Sequence, residues 1–132
     1  MKTSIFGISN KTRLIVESIE NFCDEIEIFD FIVDYDFTNE QIDKRKIKIN
    51  IENNLRNNFE ILKNNADYIF LVSNSDILNS YFYQKIINDF DKNRIQMIIS
   101  NKDLYGMYKD KNYSVINSFD PNKNELISII RS

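Results

Sequence analysis

Three short stretches of the chain carry residue types that could do chemistry. The first is Gly7-Ile8-Ser9-Asn10-Lys11-Thr12. A glycine that closes a strand, followed at once by cap-type residues, sets backbone N–H groups at a helix start, where an anion is attracted. A full dinucleotide fingerprint reads G-x-G-x-x-G. Here the pattern is G-x-S-x-x-T: the first glycine is kept, and Ser9 and Thr12 stand at the other two places. Both side chains are small enough for fairly close backbone approach, and each crowds a pyrophosphate. An ordinary strand-to-helix turn uses the same residues. The second stretch holds Asp30, 23 residues beyond Gly7. An acid about 20 residues past the glycine turn can hold ribose hydroxyls. Asp30 interrupts the apolar run IEIFDFIV, where an unpaired carboxylate would be costly. A strand-end position facing a ligand or a hydrogen-bond donor is therefore expected. The third stretch is Ser73-Asn74-Ser75-Asp76 with Asn79, where a hydrophobic run meets a helix start. These side chains either cap that helix or line a crevice.

No catalytic constellation accompanies them. The chain has no histidine, which removes His-based acid–base work, the usual triads and His metal sites. Its one cysteine, Cys23, reads as a small buried hydrophobe and points to a reducing compartment. The acid pairs Asp24/Glu25 and Asp34/Asp36 read as solvated loop charges, and the phosphate-loop pattern G-x-x-x-x-G-K is absent. The expectation is a protein that senses or regulates and is not an enzyme, with no metal ligands.

Positioning these groups falls to an alternation of strands and helices. Apolar runs predict strands over Ser4–Ile8, Ile26–Phe31, Tyr68–Ser73, Ile95–Ser100 and Tyr113–Phe119, and period-two alternation predicts one over Lys46–Ile51. Helical spacing covers Lys11–Phe22, with Ile15, Ile19 and Phe22 on one face. It also covers Glu52–Asn64, with Leu55, Phe59 and Leu62 inward. Asp76–Asp91 follows with Leu78, Phe82, Ile86 and Phe90 as its stripe, and Asn122–Arg131 closes the chain behind the Asp120–Pro121 helix start. Val33–Arg45 reads as acidic loop with some helix, and Asn101–Asn112 as a poorly defined segment holding a short helix. Strands alternating with helices imply a parallel sheet. Six strands fit the doubly wound order 3-2-1-4-5-6 of a Rossmann-like α/β fold, as a single domain over residues 1–132.

Bulk properties agree with a small globular domain. The chain has 132 residues, 42% of them apolar. Its net charge of −3 comes from 17 basic and 20 acidic residues, with five scattered arginines, which gives no footprint for nucleic acid. No apolar stretch approaches the roughly 20 residues that cross a bilayer. No signal peptide is read at Met1–Lys2, so a cytoplasmic location is expected, including one held at the inner membrane by a partner.

Taken in order, the Gly7 turn, the Asp30 strand end, KIKIN with Asn50 at its close, ADYIFLVSNSDILN, IQMIISNKDLYGMY and YSVINSFDPNKNELISII cover nearly the whole chain. In that order and spacing the chain resembles the N-terminal nucleotide-binding (RCK/KTN, TrkA-N) domain of potassium channel and transport regulators. It departs from the family at Ser9 and Thr12, and at Ile99–Ser100, where a basic residue is frequent. The family's C-terminal ligand-binding half has no counterpart in these residues.

The resemblance implies a cytosolic regulatory domain that binds NAD(H) or ATP/ADP and gates a potassium channel or transporter subunit. Gly7, Ser9, Asn10 and Thr12 would then face the phosphates, and Asp30 the ribose. Asn50, Ser73 and Asn74 would flank the base or the crevice. Weak affinity, on the order of tens of micromolar, is expected from the crowded turn. The alternative is a Rossmann-like domain that has lost nucleotide binding and serves assembly as a homo-oligomer, through the Asp76–Phe90 face or the last helix. A third reading, a small oxidoreductase or a relative of ParA-type ATPases, lacks its phosphate loop and acid–base set.

Overall fold

The computed structural model describes residues 1–30, 47–51 and 66–117. The helices expected over residues 52–64 and 122–131, the 33–45 loop and the Asp34/Asp36 pair lie outside the described residues.

Strand β1 is Lys2–Phe6. It ends two residues before the apolar run does, because Gly7 takes a φ of +113° and leaves the extended region. Helix α1 (Asn10–Ile19) follows and tightens into a 3₁₀ turn at Glu20–Phe22. Strands β2 (Glu25–Asp30), β3 (Ile47–Ile51) and β4 (Tyr68–Leu71) come next. Helix α2 is Asp76–Ile86, five residues shorter than the periodicity predicts. The chain then turns, forms a 3₁₀ turn at Lys92–Arg94 and enters β5 (Ile95–Ile99). The segment expected to hold only a short helix is a nine-residue helix, α3 (Lys102–Asp110). Asn112 sits beyond its end at φ 61°. The Asn112 and Tyr113 amides donate back to the Lys109 and Tyr108 carbonyls at 3.0 Å each, the paired bonds of a Schellman stop. Strand β6 is Val115–Asn117.

All six strands are parallel, in the order β3-β2-β1-β4-β5-β6. This is the doubly wound, Rossmann-like arrangement. Alternating side chains feed two cores. On one face Ile5, Ile28, Phe70 and Ile98 meet Ile15, Val16 and Ile19 of α1. On the other, Phe6, Phe29, Leu71 and Met97 meet Phe82, Tyr83 and Ile86 of α2 and Tyr108 of α3. Continuous apolar strands are what a sheet covered on both faces requires. Tyr83 is fully buried, and its hydroxyl accepts the Ser114 amide at 2.9 Å. Burial holds its phenol above the usual tyrosine range.

Among the described residues, no helix is long and apolar enough to cross a membrane.

Candidate functional site

The strand order reverses between β1 and β4, and the carboxyl ends of those strands are where a doubly wound sheet offers a crevice. Gly7 stands at this point. A Cβ there would lie 2.3 Å from the Ser73 amide nitrogen and 2.4 Å from the Ser73 Cα. The glycine is thus fixed twice, by its left-handed φ and by the backbone pressed against it. Main-chain bonds flank it on both sides: Gly7 N donates to Phe29 O of β2, and Val72 N, beyond β4, to Phe6 O, both at 2.7 Å.

Ser9 is the N-cap of α1, and Thr12 completes a capping box. The Ser9 amide donates to Thr12 Oγ1 at 2.9 Å, and Lys11 N reaches Ser9 Oγ at 3.3 Å. One hydroxyl reaches across to the end of β4 and the other closes the turn itself. Ser9 Oγ donates to Val72 O at 3.1 Å, and Thr12 Oγ1 to Gly7 O at 2.7 Å. Both residues are buried. Their side chains fill the place that glycine leaves open in a dinucleotide turn. Asn10 is the first residue of α1.

Asp30 closes β2 and comes to this turn: its Oδ2 accepts the Ile8 amide at 2.7 Å. The sequence spacing between Gly7 and Asp30 therefore corresponds to real adjacency. Asn50 lies on β3, in register with Phe29 and two strands from β1. Backbone register places it on the same strand-end side, at the edge of the sheet.

On the other side of the seam, Asn79 organises the end of β4. It is fully buried, and its amide group makes four bonds. Its Oδ1 accepts from Ser73 N at 3.0 Å and Ser73 Oγ at 2.7 Å. Its Nδ2 donates to Ser73 O at 3.0 Å and Ile98 O at 2.9 Å. Ser73 is thereby held inward, while Asn74 is exposed at the rim. Ser75 caps α2 by accepting from Leu78 N at 3.2 Å. Asp76 Oδ1 and Oδ2 accept Ser100 N at 2.8 Å and Asn101 N at 3.0 Å, tying the end of β5 to the start of α2.

Sequence reasoning gave Asp76 only a capping or lining part and did not single out Lys11 or Ser100. Lys11 Nζ donates to Ser100 Oγ at 3.3 Å, so an ammonium spans from the start of α1 to the end of β5. Its signal was present in a negative form. The first turn of α1 has no acidic residue, whereas α2 and α3 carry Asp76 and Asp103 there. A lysine beside the positive end of a helix macrodipole is unfavourable unless an anion joins it.

Among the described residues, no group of histidine, cysteine or carboxylate side chains is arranged to hold a metal ion. No protein-family model matches the chain, and no curated protein is similar to it.

Proposed function

We propose that the chain is a regulatory domain that binds an adenine nucleotide, ATP/ADP or NAD(H), over the β1–β4 seam, and that it controls a potassium channel or transporter subunit as the RCK/KTN-like order of its motifs implies. One observation carries the nucleotide part: the Gly7 turn, the acid-free start of α1 with Lys11, and the Asp30 carboxylate meet at one place. Cationic helix start and strand-end carboxylate are the two poles that a phosphate and a ribose require. Among the described residues no catalytic set accompanies them, so the site is read as a sensor.

A second reading has its own support. The capping box of Ser9 and Thr12 gives the α1 start protein partners in place of a phosphate. A domain worn in this way would serve assembly alone. Calorimetry with ATP, ADP, NADH and NAD separates the two. The sensor reading expects a Kd on the order of tens of micromolar for at least one nucleotide. Asp30→Asn keeps an acceptor for the Ile8 amide and removes the charge, so it should weaken binding about tenfold without unfolding the domain. Heat from none of the four, in a folded protein, would leave the assembly reading in its place.

A further inference from the structure

Among the described residues two lysines are half-buried, Lys2 and Lys11, and the other lysines stand in the open. The two differ in what they meet. Lys2 lies 3.2 Å from the Glu27 carboxylate. Lys11 has no carboxylate partner among the described residues, and its ammonium donates to the neutral Ser100 hydroxyl at 3.3 Å. The acid beside Ser100 does not serve it, because both oxygens of Asp76 are held by the Ser100 and Asn101 amides. A half-buried cation without a counter-charge is unfavourable, and more so beside the positive end of a helix. An anion brought to this place relieves both.

The order of the sheet says which part of a ligand arrives there. Asp30 closes β2, the Gly7 turn follows β1, Ser73 lies just past β4 and Ser100 just past β5. From β2 to β5 is three strand spacings, about 14 Å. A nucleotide with its ribose at Asp30 and its first phosphates at the start of α1 directs its far end along this row, toward Ser100. The Lys11 ammonium stands at that end. We infer that Lys11 is the specificity-determining residue of the seam, favouring a nucleoside triphosphate or diphosphate over a dinucleotide. The chain of ATP ends in negative charge and gives the ammonium a charge-assisted bond in place of a neutral one. The chain of NAD continues into a second nucleoside with a cationic base, which opposes the ammonium. NADH ends in a neutral base, which must displace the Lys11–Ser100 bond without replacing it. The inference rests on the nucleotide reading of the seam and narrows its ligand to ATP/ADP.

Calorimetry of the full chain with ATP, ADP, NADH and NAD, on the parent and three variants, tests it. The parent should bind ATP about tenfold more tightly than NADH, and Lys11→Gln should lower ATP affinity about tenfold while leaving NADH within twofold. Lys11→Arg keeps the charge and should keep the preference. Ser100→Ala removes the competing acceptor and should bind ATP no more weakly than the parent. NADH bound by the parent as tightly as ATP would overturn the inference and leave the nucleotide reading standing. A preference for ATP that survives Lys11→Gln would overturn it by assigning the discrimination to other groups. Ser100→Ala weakening ATP as much as Lys11→Gln would overturn it by showing that the bond only ties α1 to the end of β5. Heat from none of the four nucleotides would overturn the nucleotide reading and this inference with it.

Discussion

Gly7 and Gly106 are the chain's two glycines, and a methyl group added to each would meet opposite surroundings. At Gly7 it would run into the Ser73 backbone at 2.3 Å, at a φ that L side chains rarely adopt. At Gly106, in the middle of α3, it would meet nothing within 4 Å. The difference extends to the regions around them. At the β1–β4 seam Ser9, Thr12, Ser73 and Asn79 are buried and bonded, Ser9 across to the end of β4 and the others within the two turns. On the outer α2–α3 face Ile77, Tyr81 and Met107 stand in the open. A surface closed by its own side chains accepts change badly, whereas an open one waits for a partner or tolerates substitution.

The largest expected effect tests the closed side. Gly7→Ala combines a backbone overlap with a strained φ and should cost about 4 kcal/mol or more, read as a lowered midpoint in urea unfolding. A cost under about 1 kcal/mol would mean that the seam relaxes and that the contrast with Gly106 is illusory. Asn79→Ala comes next. It strips partners from the buried Ser73 amide and the Ile98 carbonyl, and about 3 kcal/mol should be lost. Asn79→Ala behaving like a surface substitution would show that water can take over those bonds.

A smaller effect lies on the inner side of α2. Tyr83 is held above the ordinary tyrosine pKa by burial, so the folded state binds its proton more tightly than the unfolded chain does. Its contribution is fully present below about pH 10 and is lost as pH rises through the folded-state value. Tyr83→Phe should cost about 1 kcal/mol at neutral pH, by orphaning the Ser114 amide, and should flatten the alkaline fall in thermal stability. An alkaline limb unchanged in the variant would assign that fall to other groups. The smallest effect has the opposite sign. Gly106→Ala should stabilise α3 by about 0.5–1 kcal/mol, because a helix interior gains from the lost backbone freedom and the space is free. Destabilisation there would place something against α3 that the contrast leaves out.

The sequence by itself determined the alternation of strands and helices and the two apolar faces, since period and apolar content are local properties that survive in any context. Runs such as YIFLVS can be buried only in a sheet covered on both sides, and the connections make that sheet parallel; the order 3-2-1-4-5-6 fits them and is the one the fold adopts. It also determined that Gly7 and Asp30 belong together, because their spacing is the length of one strand–helix–strand step. The ends of β1 and α2 were less legible: a glycine's φ and a helix stop depend on which backbone lies opposite. The uses of Ser9, Thr12, Asn79 and Asp76 were decided only by the tertiary structure. A short polar side chain near a strand end has the same local pattern whether it faces a phosphate or the carbonyl of Val72, Gly7 or Ile98. For Ser9 that partner lies 63 residues away at the end of β4, and for Asn79 it lies 19 residues away on β5, each brought close by the doubly wound sheet. The exposure of Ile77 was decided the same way. Helical spacing marks which residues share a face, and only the packing of α2 against β4, β5 and α3 shows which face is left uncovered.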